Sequence, residues 1–316
     1  MKRELAVVTP CYNEEKVIGQ FIVRTIHVLR NLKISFELIL VNDGSVDSTL
    51  EIMKDYSKDI PEITIIDLSR NFGHQAAVTA GVDRAASEGV VIIDADLQDP
   101  PEIIPEMIEK WKEGYDVVYG QRRHRQGETF FKKLSAKLFY RLFQLFTDHK
   151  IPLDTGDFRL IDKKVVEQLK KLRESHRFLR GLISWVGFKQ YPLLYDRHSR
   201  VAGETHYPFK KMLLFSLDAL ISFSIIPLRF FSILGAITIL GTIVIVFIIL
   251  VVRIFDPEYF IPGFSATIIL ILIFGGLQLF ATGIIGEYIG RIYEESKRRP
   301  LYIIGSIFQS NKEYKE

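Results

Sequence analysis

The sequence predicts an α/β domain with a mostly parallel sheet, followed by membrane-associated helices. In the first half of the chain, short runs of branched apolar residues alternate with helical patterns, as they do in a parallel sheet with right-handed crossovers. Each run stops at polar residues or glycine. In the second half, two apolar segments are each long enough to span a bilayer.

Five apolar runs are the predicted strands, because strands of a covered sheet read as short, continuous apolar segments. In chain order they are residues 5–9, 38–41, 63–68, 90–93 and 117–120. Ligands of open α/β sheets bind outside the carboxyl ends of the strands. The five polar ends together therefore predict a binding crevice at one edge of the sheet.

The fourth run ends on two carboxylates, Asp94 and Asp96. Side chains alternate along a strand, so both are expected on the same side. Such a pair suits one hard divalent cation, which takes oxygen ligands and often shares them with phosphates. The pair predicts a metal and diphosphate site, although an acidic turn is an alternative for the motif alone.

Charged side chains of both signs follow the other strands. Glu14 and Asp43 suit hydrogen bonds to a ribose or base, and the fork of Arg122 suits phosphate oxygens. The first strand is not followed by Gly-x-Gly-x-x-Gly, and the chain has no Gly-x-x-x-x-Gly-Lys-Ser/Thr. A dinucleotide site and a P-loop ATPase are therefore disfavoured.

Composition agrees with an enzyme that carries a membrane anchor. The 316 residues suffice for one sizeable α/β domain and a further segment, and the net charge of +3 gives no indication of nucleic-acid binding. Cys11 is the only cysteine, which excludes an intrachain disulfide. The N-terminus has no signal-peptide pattern, so we expect the catalytic half to stay in the cytoplasm.

Four motifs together resemble one enzyme family. They are TPCYNE at 9–14, NDGS at 42–45, DADLQDPP at 94–101 and GETHYP at 203–208. In these motifs the chain is similar to the inverting family-two glycosyltransferases, in particular to the polyprenyl-phosphate branch of dolichyl-phosphate mannose synthases and bactoprenol glucosyltransferases. The resemblance covers nearly the whole length. It implies a Rossmann-like catalytic domain of the GT-A type and Mg²⁺ or Mn²⁺ as cofactor.

The resemblance also implies roles for matching positions. Asp94 and Asp96 would bind the metal, with Gln98 as an additional ligand, and Asp157 falls where the family places an acidic residue at the reaction centre. By contrast, His74 is expected to make local hydrogen bonds rather than take part in catalysis. Residues implied for the nucleotide sugar are Pro10, Tyr12, Glu14, Asp43, Asn71, Gln75, Ala95 and Arg122.

A further set is implied for the acceptor phosphate. Its members are Arg200, His206, Lys210 and Lys211. Arg200 and residues 203–207 match a mobile loop that closes over donor and acceptor. The family commonly has Lys in place of His206, so a phosphate contact there would be weaker and would depend on pH.

The chain divides into four predicted regions. They are a catalytic domain at 1–206, an amphipathic juxtamembrane helix at 207–228, a two-helix transmembrane region at 229–290 and a cytoplasmic tail at 291–316. The spans are expected at about 230–252 and 264–286. Two buried helices of a soluble protein are the alternative, and a core-facing helix is the alternative for 207–228.

Basic residues flank the two predicted spans on their outer sides, and the loop between them is slightly acidic. The positive-inside rule therefore places the catalytic domain and both termini in the cytoplasm of a bacterial inner membrane. Gly286 and Gly290 stand four residues apart in the second span, a spacing that permits close helix contact. We expect a homo-oligomer packed through this helix.

The expected reaction moves a sugar, with inversion, from a nucleotide donor to polyprenyl (undecaprenyl) phosphate. UDP-glucose is favoured because the two-span tail resembles bactoprenol glucosyltransferases; GDP-mannose and a modified UDP-pentose are alternatives. A processive polysaccharide synthase and a non-catalytic nucleotide-sugar sensor are disfavoured by the two spans and the intact acidic pair, respectively. Whether Asp157 orients a substrate or transfers a proton is open, since a phosphate acceptor is already substantially ionised.

Overall fold

The computed structural model describes residues 3–123, 155–196, 226–255, 264–309 and 312–314. The chain divides into two compact units. One comprises residues 1–144, 148–208 and 299–316, and the other comprises residues 145–147 and 209–298.

The first unit contains a sheet that has nine strands within the described residues. The strands are β1 (Arg3–Cys11), β2 (Phe36–Asn42), β3 (Ile63–Leu68), β4 (Ser87–Ile92), β5 (Val117–Arg122), β6 (Thr155–Asp162), β7 (Gln190–Tyr195), β8 (Ile304–Gln309) and β9 (Lys312–Tyr314). Their order is β7-β5-β6-β4-β1-β2-β3-β8-β9. The central strands β4, β1, β2 and β3 are parallel, whereas β6, β8 and β9 pair antiparallel with their neighbours. The predicted α/β class is confirmed, and the sheet is mixed.

Six helices of the described residues belong to this unit. They are α1 (Ile18–Asn31), α2 (Thr49–Asp59), α3 (His74–Arg84), α4 (Ile104–Lys112), α5 (Lys163–Leu169) and α6 (Leu179–Trp185). Leu5 to Val8 of β1 are wholly buried, as expected for an apolar strand covered on both faces. At Gly81 of α3, a Cβ would lie 2.3 Å from Cγ1 of Val8. Glycine at this position therefore lets α3 pack directly on the central strands.

Hydrogen bonds join the loops that follow β1 and β2 at the carboxyl edge of the sheet. The backbone N–H of Asn13 donates to Ser45 Oγ over 3.0 Å, and the N–H of Glu14 donates to Thr49 Oγ1 over 2.8 Å. Asn13 has a φ of 55°, a conformation that asparagine tolerates better than most residues. These bonds hold the two loops together at the predicted crevice.

The second unit contains α7 (Ile226–Phe255) and α8 (Phe264–Ser296). The two helices touch through Phe231 and Phe280, whose ring centroids are 5.5 Å apart. Within the described residues, one segment, Ile273–Ser296, is long and apolar enough to cross a membrane. A second span is predicted at about 230–252; those residues are helical, but only the later segment meets this criterion. Most of the predicted juxtamembrane helix, residues 207–225, lies outside the described residues.

The segment predicted as a cytoplasmic tail, residues 291–316, does not form a tail throughout. Helix α8 continues to Ser296, and β8 then pairs antiparallel with β3. Ser306 and Ile307 are buried in this strand. The partner of β8 lies more than 200 residues earlier in the chain, so its place in the sheet depends on a distant edge that a local sequence pattern does not reveal.

Candidate active site

The acidic pair lies directly after the central strand β4. Burial alternates along this segment: Ala95 and Leu97 are buried, whereas Asp94 and Asp96 are half-buried, as the prediction of a shared side requires. Leu97 has a φ of 58°, and Asp96 Oδ1 accepts the N–H of Gln98 over 3.1 Å. This tight turn fixes the Asp96 carboxylate two residues after Asp94.

One oxygen of the Asp94 carboxylate has no hydrogen-bond donor beside it among the described residues. Within the described part of the chain its Oδ1 is buried without a hydrogen-bond partner. Burial raises its pKa, the charge of His74 offsets part of this, and the carboxylates of Asp157, Asp99 and Asp96 raise it further, to about 6. An under-coordinated oxygen in an acidic surrounding fits a bound cation.

The described residues do not form a complete metal cage. Among them, no group of three or more His, Cys, Asp or Glu side chains is arranged to hold a metal ion. Asp94 and Asp96 could therefore supply part of a coordination shell, with the remaining oxygens coming from a substrate or water. Gln98 contributes its backbone N–H to the turn, and its role as a metal ligand remains a prediction.

Strand β6 brings Asp157 next to this pair. Ile92 of β4 pairs with Arg159 of β6 in antiparallel register, so extending the register by two residues sets Asp157 opposite Asp94. Two like charges at facing positions repel each other. The site therefore needs cationic or donor groups between them.

Three side chains contact the Asp157 carboxylate. His74 Nε2 lies 3.0 Å and Gln75 Nε2 lies 3.4 Å from Oδ2, and Arg180 Nε forms an ion pair with Oδ1 at 2.9 Å. Burial alone would raise the pKa of Asp157, but Arg180, His74 and Arg159 outweigh it and hold this pKa well below its usual range. Asp157 is therefore a fixed anion.

Helix α3 begins at this carboxylate and supplies two of the contacts. Besides donating to Asp157, the Gln75 amide accepts the N–H of Leu179 over 2.9 Å, which joins the starts of α3 and α6. Burial lowers the pKa of His74, but the hydrogen bond to Asp157 and the charge of Asp94 raise it to about 9. The hydrogen bond of His74 is long-range, to Asp157 of β6, and the expectation that His74 takes no part in catalysis remains a prediction.

Asp43 is buried and binds backbone. Its two oxygens accept the N–H groups of Phe72 over 2.7 Å and Gly73 over 2.9 Å. Burial raises the pKa of Asp43 more than these two bonds lower it. The neighbouring Gly44 has a φ of 66°, and a Cβ there would lie 2.5 Å from the Asn71 nitrogen. Asp43 thus shapes the loop before α3, and its predicted contact with the nucleotide remains a prediction.

A second polar cluster surrounds Arg122 at the end of β5. The hydroxyl of Tyr195 donates to Asp99 Oδ1, and both side chains are buried. A Cβ at Gly156 would lie 3.3 Å from Arg122 Nη2 and 3.7 Å from Asp99 Oδ2. Glycine therefore leaves room for the guanidinium beside the carboxylate. Burial, and then the charge of Asp99, raise the pKa of Tyr195.

The remaining predicted site residues divide into two groups. Tyr12, Glu14 and Asn71 lie on the loops at the crevice, with Tyr12 48% exposed; Pro10 lies within β1, and Ala95 is buried. The four residues predicted to bind the acceptor phosphate lie outside the described residues: Arg200, His206, Lys210 and Lys211.

Sequence reasoning does not identify four residues that the fold brings to this site. Asp99 lies within the DADLQDPP motif at 94–101, so the sequence could have identified it. Nothing local marks the others, because each reaches the site through a long-range contact. The four are His74, Asp99, Arg180 and Tyr195.

Comparison with known proteins identifies the family of this chain. Residues 6–170 match the family model described as Glycosyl transferase family 2. An uncharacterized glycosyltransferase of Bacillus subtilis (strain 168), YkcC, is 52% identical over 95% of this chain and 93% of its own length. A prophage bactoprenol glucosyl transferase homolog of Escherichia coli (strain K12) is 37% identical over 95% and 98%, and a prophage-derived bactoprenol glucosyl transferase of Shigella flexneri is 38% identical over 98% and 99%. The chain belongs to glycosyl transferase family 2.

Proposed function

We propose that this protein is a membrane-anchored, metal-dependent, inverting glycosyltransferase that moves a sugar from a nucleotide donor to a polyprenyl phosphate. Glucose from UDP-glucose is the first candidate. Two relatives of nearly equal length, 37% and 38% identical, carry the name bactoprenol glucosyl transferase. Their names support the lipid acceptor and glucose together.

The state of Asp157 is the observation that carries this proposal. Its carboxylate contacts Arg180, His74 and Gln75, and its pKa lies well below the usual range. Such a group is a poor proton acceptor. A hydroxyl acceptor would need a base, whereas a phosphate monoester, with a second pKa of about 6, is already ionised at neutral pH. The site therefore favours an acceptor that arrives as an anion.

The acidic pair is the proposed site of Mg²⁺ or Mn²⁺. Asp94 and Asp96 would hold the ion, and Asp94 Oδ1, which lacks a hydrogen-bond partner among the described residues, supports this fit. When bound, the ion would neutralise charge on the leaving diphosphate. Arg122, at the end of β5, would bind a diphosphate oxygen, and Asp157 would orient the donor sugar or the acceptor.

The membrane location completes the proposal. Segment Ile273–Ser296 is apolar and long enough to cross a bilayer, and α7 would form the second span, with the catalytic domain and both termini in the cytoplasm of a bacterial inner membrane. Arg200 and His206, with Lys210 and Lys211 at the start of the predicted juxtamembrane helix, would hold the acceptor phosphate beneath that helix. Helix α8 would mediate homo-oligomer contact.

The test is sugar transfer to undecaprenyl phosphate by the purified protein with Mg²⁺ or Mn²⁺, across UDP- and GDP-sugars. We expect a lipid-extractable product from UDP-glucose, and loss of that product in Asp96→Ala without loss of folding or membrane insertion. A product from GDP-mannose or a UDP-pentose instead would correct the donor. Binding of UDP without transfer from any donor would contradict the enzymatic role and favour a nucleotide-sugar sensor.

A further inference from the structure

We infer that His74 is a positioning residue for sugar transfer: its Nε2–H donates to the Asp157 carboxylate and fixes the orientation of that carboxylate beside Asp94. The inference rests on the proposed function. His74 Nε2 lies 3.0 Å from Asp157 Oδ2 and 3.8 Å from Asp94 Oδ1. The imidazole therefore lies next to both carboxylates.

The charge of His74 compensates for the repulsion between the Asp94 and Asp157 carboxylates. Asp94 follows β4 by two residues and Asp157 lies within β6, which pairs with β4; their side chains are 31% and 11% exposed, respectively. Charges that water does not fully screen repel each other strongly. A donor between the two reduces this repulsion, so the carboxylates can remain close enough to act on one substrate.

The backbone that precedes His74 is fixed by hydrogen bonds. It is the first residue of α3, and it follows Gly73, which has a φ of 96°. Asp43 accepts the N–H groups of Phe72 and Gly73, which fixes the backbone directly before the ring. Helix α3 is anchored by Gly81 against β1. The imidazole thus extends from a rigid support, as a group that orients another side chain should.

Asp157 depends on His74 for one of its two oxygens. Arg180 Nε contacts Oδ1 at 2.9 Å, whereas Oδ2 has His74 at 3.0 Å and the weaker Gln75 contact at 3.4 Å. Without His74, the carboxylate is free to rotate about the Arg180 contact. Of the residues proposed for the nucleotide sugar, Tyr12 and Glu14 lie on the loop after β1, so misorientation of Asp157 should reduce turnover more than donor affinity.

Two substitutions of similar chemistry separate this role from simple packing. The side-chain nitrogen of Gln can occupy the position of His Nε2, whereas that of Asn matches the nearer Nδ1 and falls short of Asp157. We expect His74→Asn to lower kcat at least about tenfold, since a displacement of about 1 Å can cost about a hundredfold. His74→Gln should recover most of that loss. The KM for UDP-glucose should stay within about threefold in both, because the groups that bind the nucleotide are unchanged.

The experiment measures kcat and KM for transfer to undecaprenyl phosphate, UDP binding by calorimetry, and thermal unfolding, for the full chain in detergent. His27→Asn, at an exposed position of α1, is the matched control and should behave as wild type. Equal kcat in His74→Asn and wild type would overturn the inference. So would equal losses in the Asn and Gln variants, or a loss of UDP binding in step with turnover. Absence of transfer by the wild-type protein would overturn the proposed function and this inference together.

Discussion

Arg180 and Asp157 form an ion pair in which the guanidinium Nε lies 2.9 Å from Asp157 Oδ1. The opposite carboxylate oxygen accepts from His74, so both oxygens have a donor or a cation beside them. A carboxylate in this setting keeps its charge and resists protonation. This charge state supports the proposal that Asp157 orients a substrate rather than transferring a proton.

Breaking this pair should lower both stability and turnover. The two side chains are 29% and 11% exposed, so Arg180→Gln leaves a poorly solvated carboxylate without its cation, at an expected cost of about 1–3 kcal/mol. Denaturant unfolding in detergent measures this cost. Arg123→Gln breaks a looser pair at 3.6 Å whose side chains are 55% and 68% exposed, and it should cost no more than about 1 kcal/mol. Equal costs in the two variants would contradict the buried-pair interpretation.

Neutralising Asp94 should stabilise the metal-free protein. Burial, followed by neighbouring carboxylates, raises its pKa to about 6 from 3.8. The pKa of Asp94 is higher in the folded protein than in the unfolded chain. The contribution of Asp94 to the free energy of unfolding therefore falls as pH rises from about 4 to about 6, and the loss is complete above that window. Asp94→Asn cannot ionise, so it escapes the loss.

In EDTA, therefore, Asp94→Asn should be more stable than wild type by about 1–2 kcal/mol at pH 7–8, after allowance for the partial exposure of the side chain. The difference should shrink as pH falls towards 4. Excess Mg²⁺ should reverse the order, since a cation stabilises only the protein that binds it. The measurement is unfolding over a pH series, with the exposed Asp196→Asn as control. A wild type that is more stable in EDTA at every pH would disprove the argument.

Removing the hydroxyl of Tyr195 tests the cluster around Arg122. Tyr195→Phe leaves Asp99 Oδ1 without its buried donor, at a cost of about 1–3 kcal/mol. Because the same hydroxyl is hydrogen-bonded to Arg122, the guanidinium loses a fixed contact, and we expect a rise of about three- to tenfold in the donor KM. Tyr191→Phe, which keeps its ring packing on Tyr115, is the control. An unchanged KM in Tyr195→Phe would remove Tyr195 from donor binding.

The strands that can be predicted from the sequence are those whose local residue pattern is sufficient to identify them. Strands β1 to β4 are buried on both faces, so their apolar runs identify them without knowledge of their neighbours. Strand β6 cannot be recognised in this way, because the charged residues Asp157 and Arg159 interrupt its apolar pattern. The acidic pair was identifiable from its spacing, whereas His74 reaches Asp157 across 83 residues. Contacts of this kind depend on strand order, which a single sequence does not display.

The segment that follows α8 and contains β8 should be required for the stability of the catalytic unit. Strand β8 covers the edge of β3, and the residues before it are tied down, because the Tyr302 hydroxyl donates to Asp83 Oδ2 over 2.8 Å. Burial, and then the charge of Asp83, raise the pKa of Tyr302 to about 12. Arg173 pairs with the same carboxylate at 2.6 Å. One carboxylate therefore joins the end of α3 to two distant segments.

Deleting residues 299–316 should destabilise the catalytic unit by at least about 3 kcal/mol, since it exposes the apolar neighbours of Ile307 and opens a sheet edge. Deleting only residues 310–316 keeps β8 and should cost less. Tyr302→Phe removes one hydrogen bond and should cost about 1 kcal/mol. Denaturant unfolding of the three variants in detergent ranks these costs. Equal midpoints for both deletions would show that β8 is dispensable, and the unfolding of the catalytic unit would then be independent of the segment that follows α8.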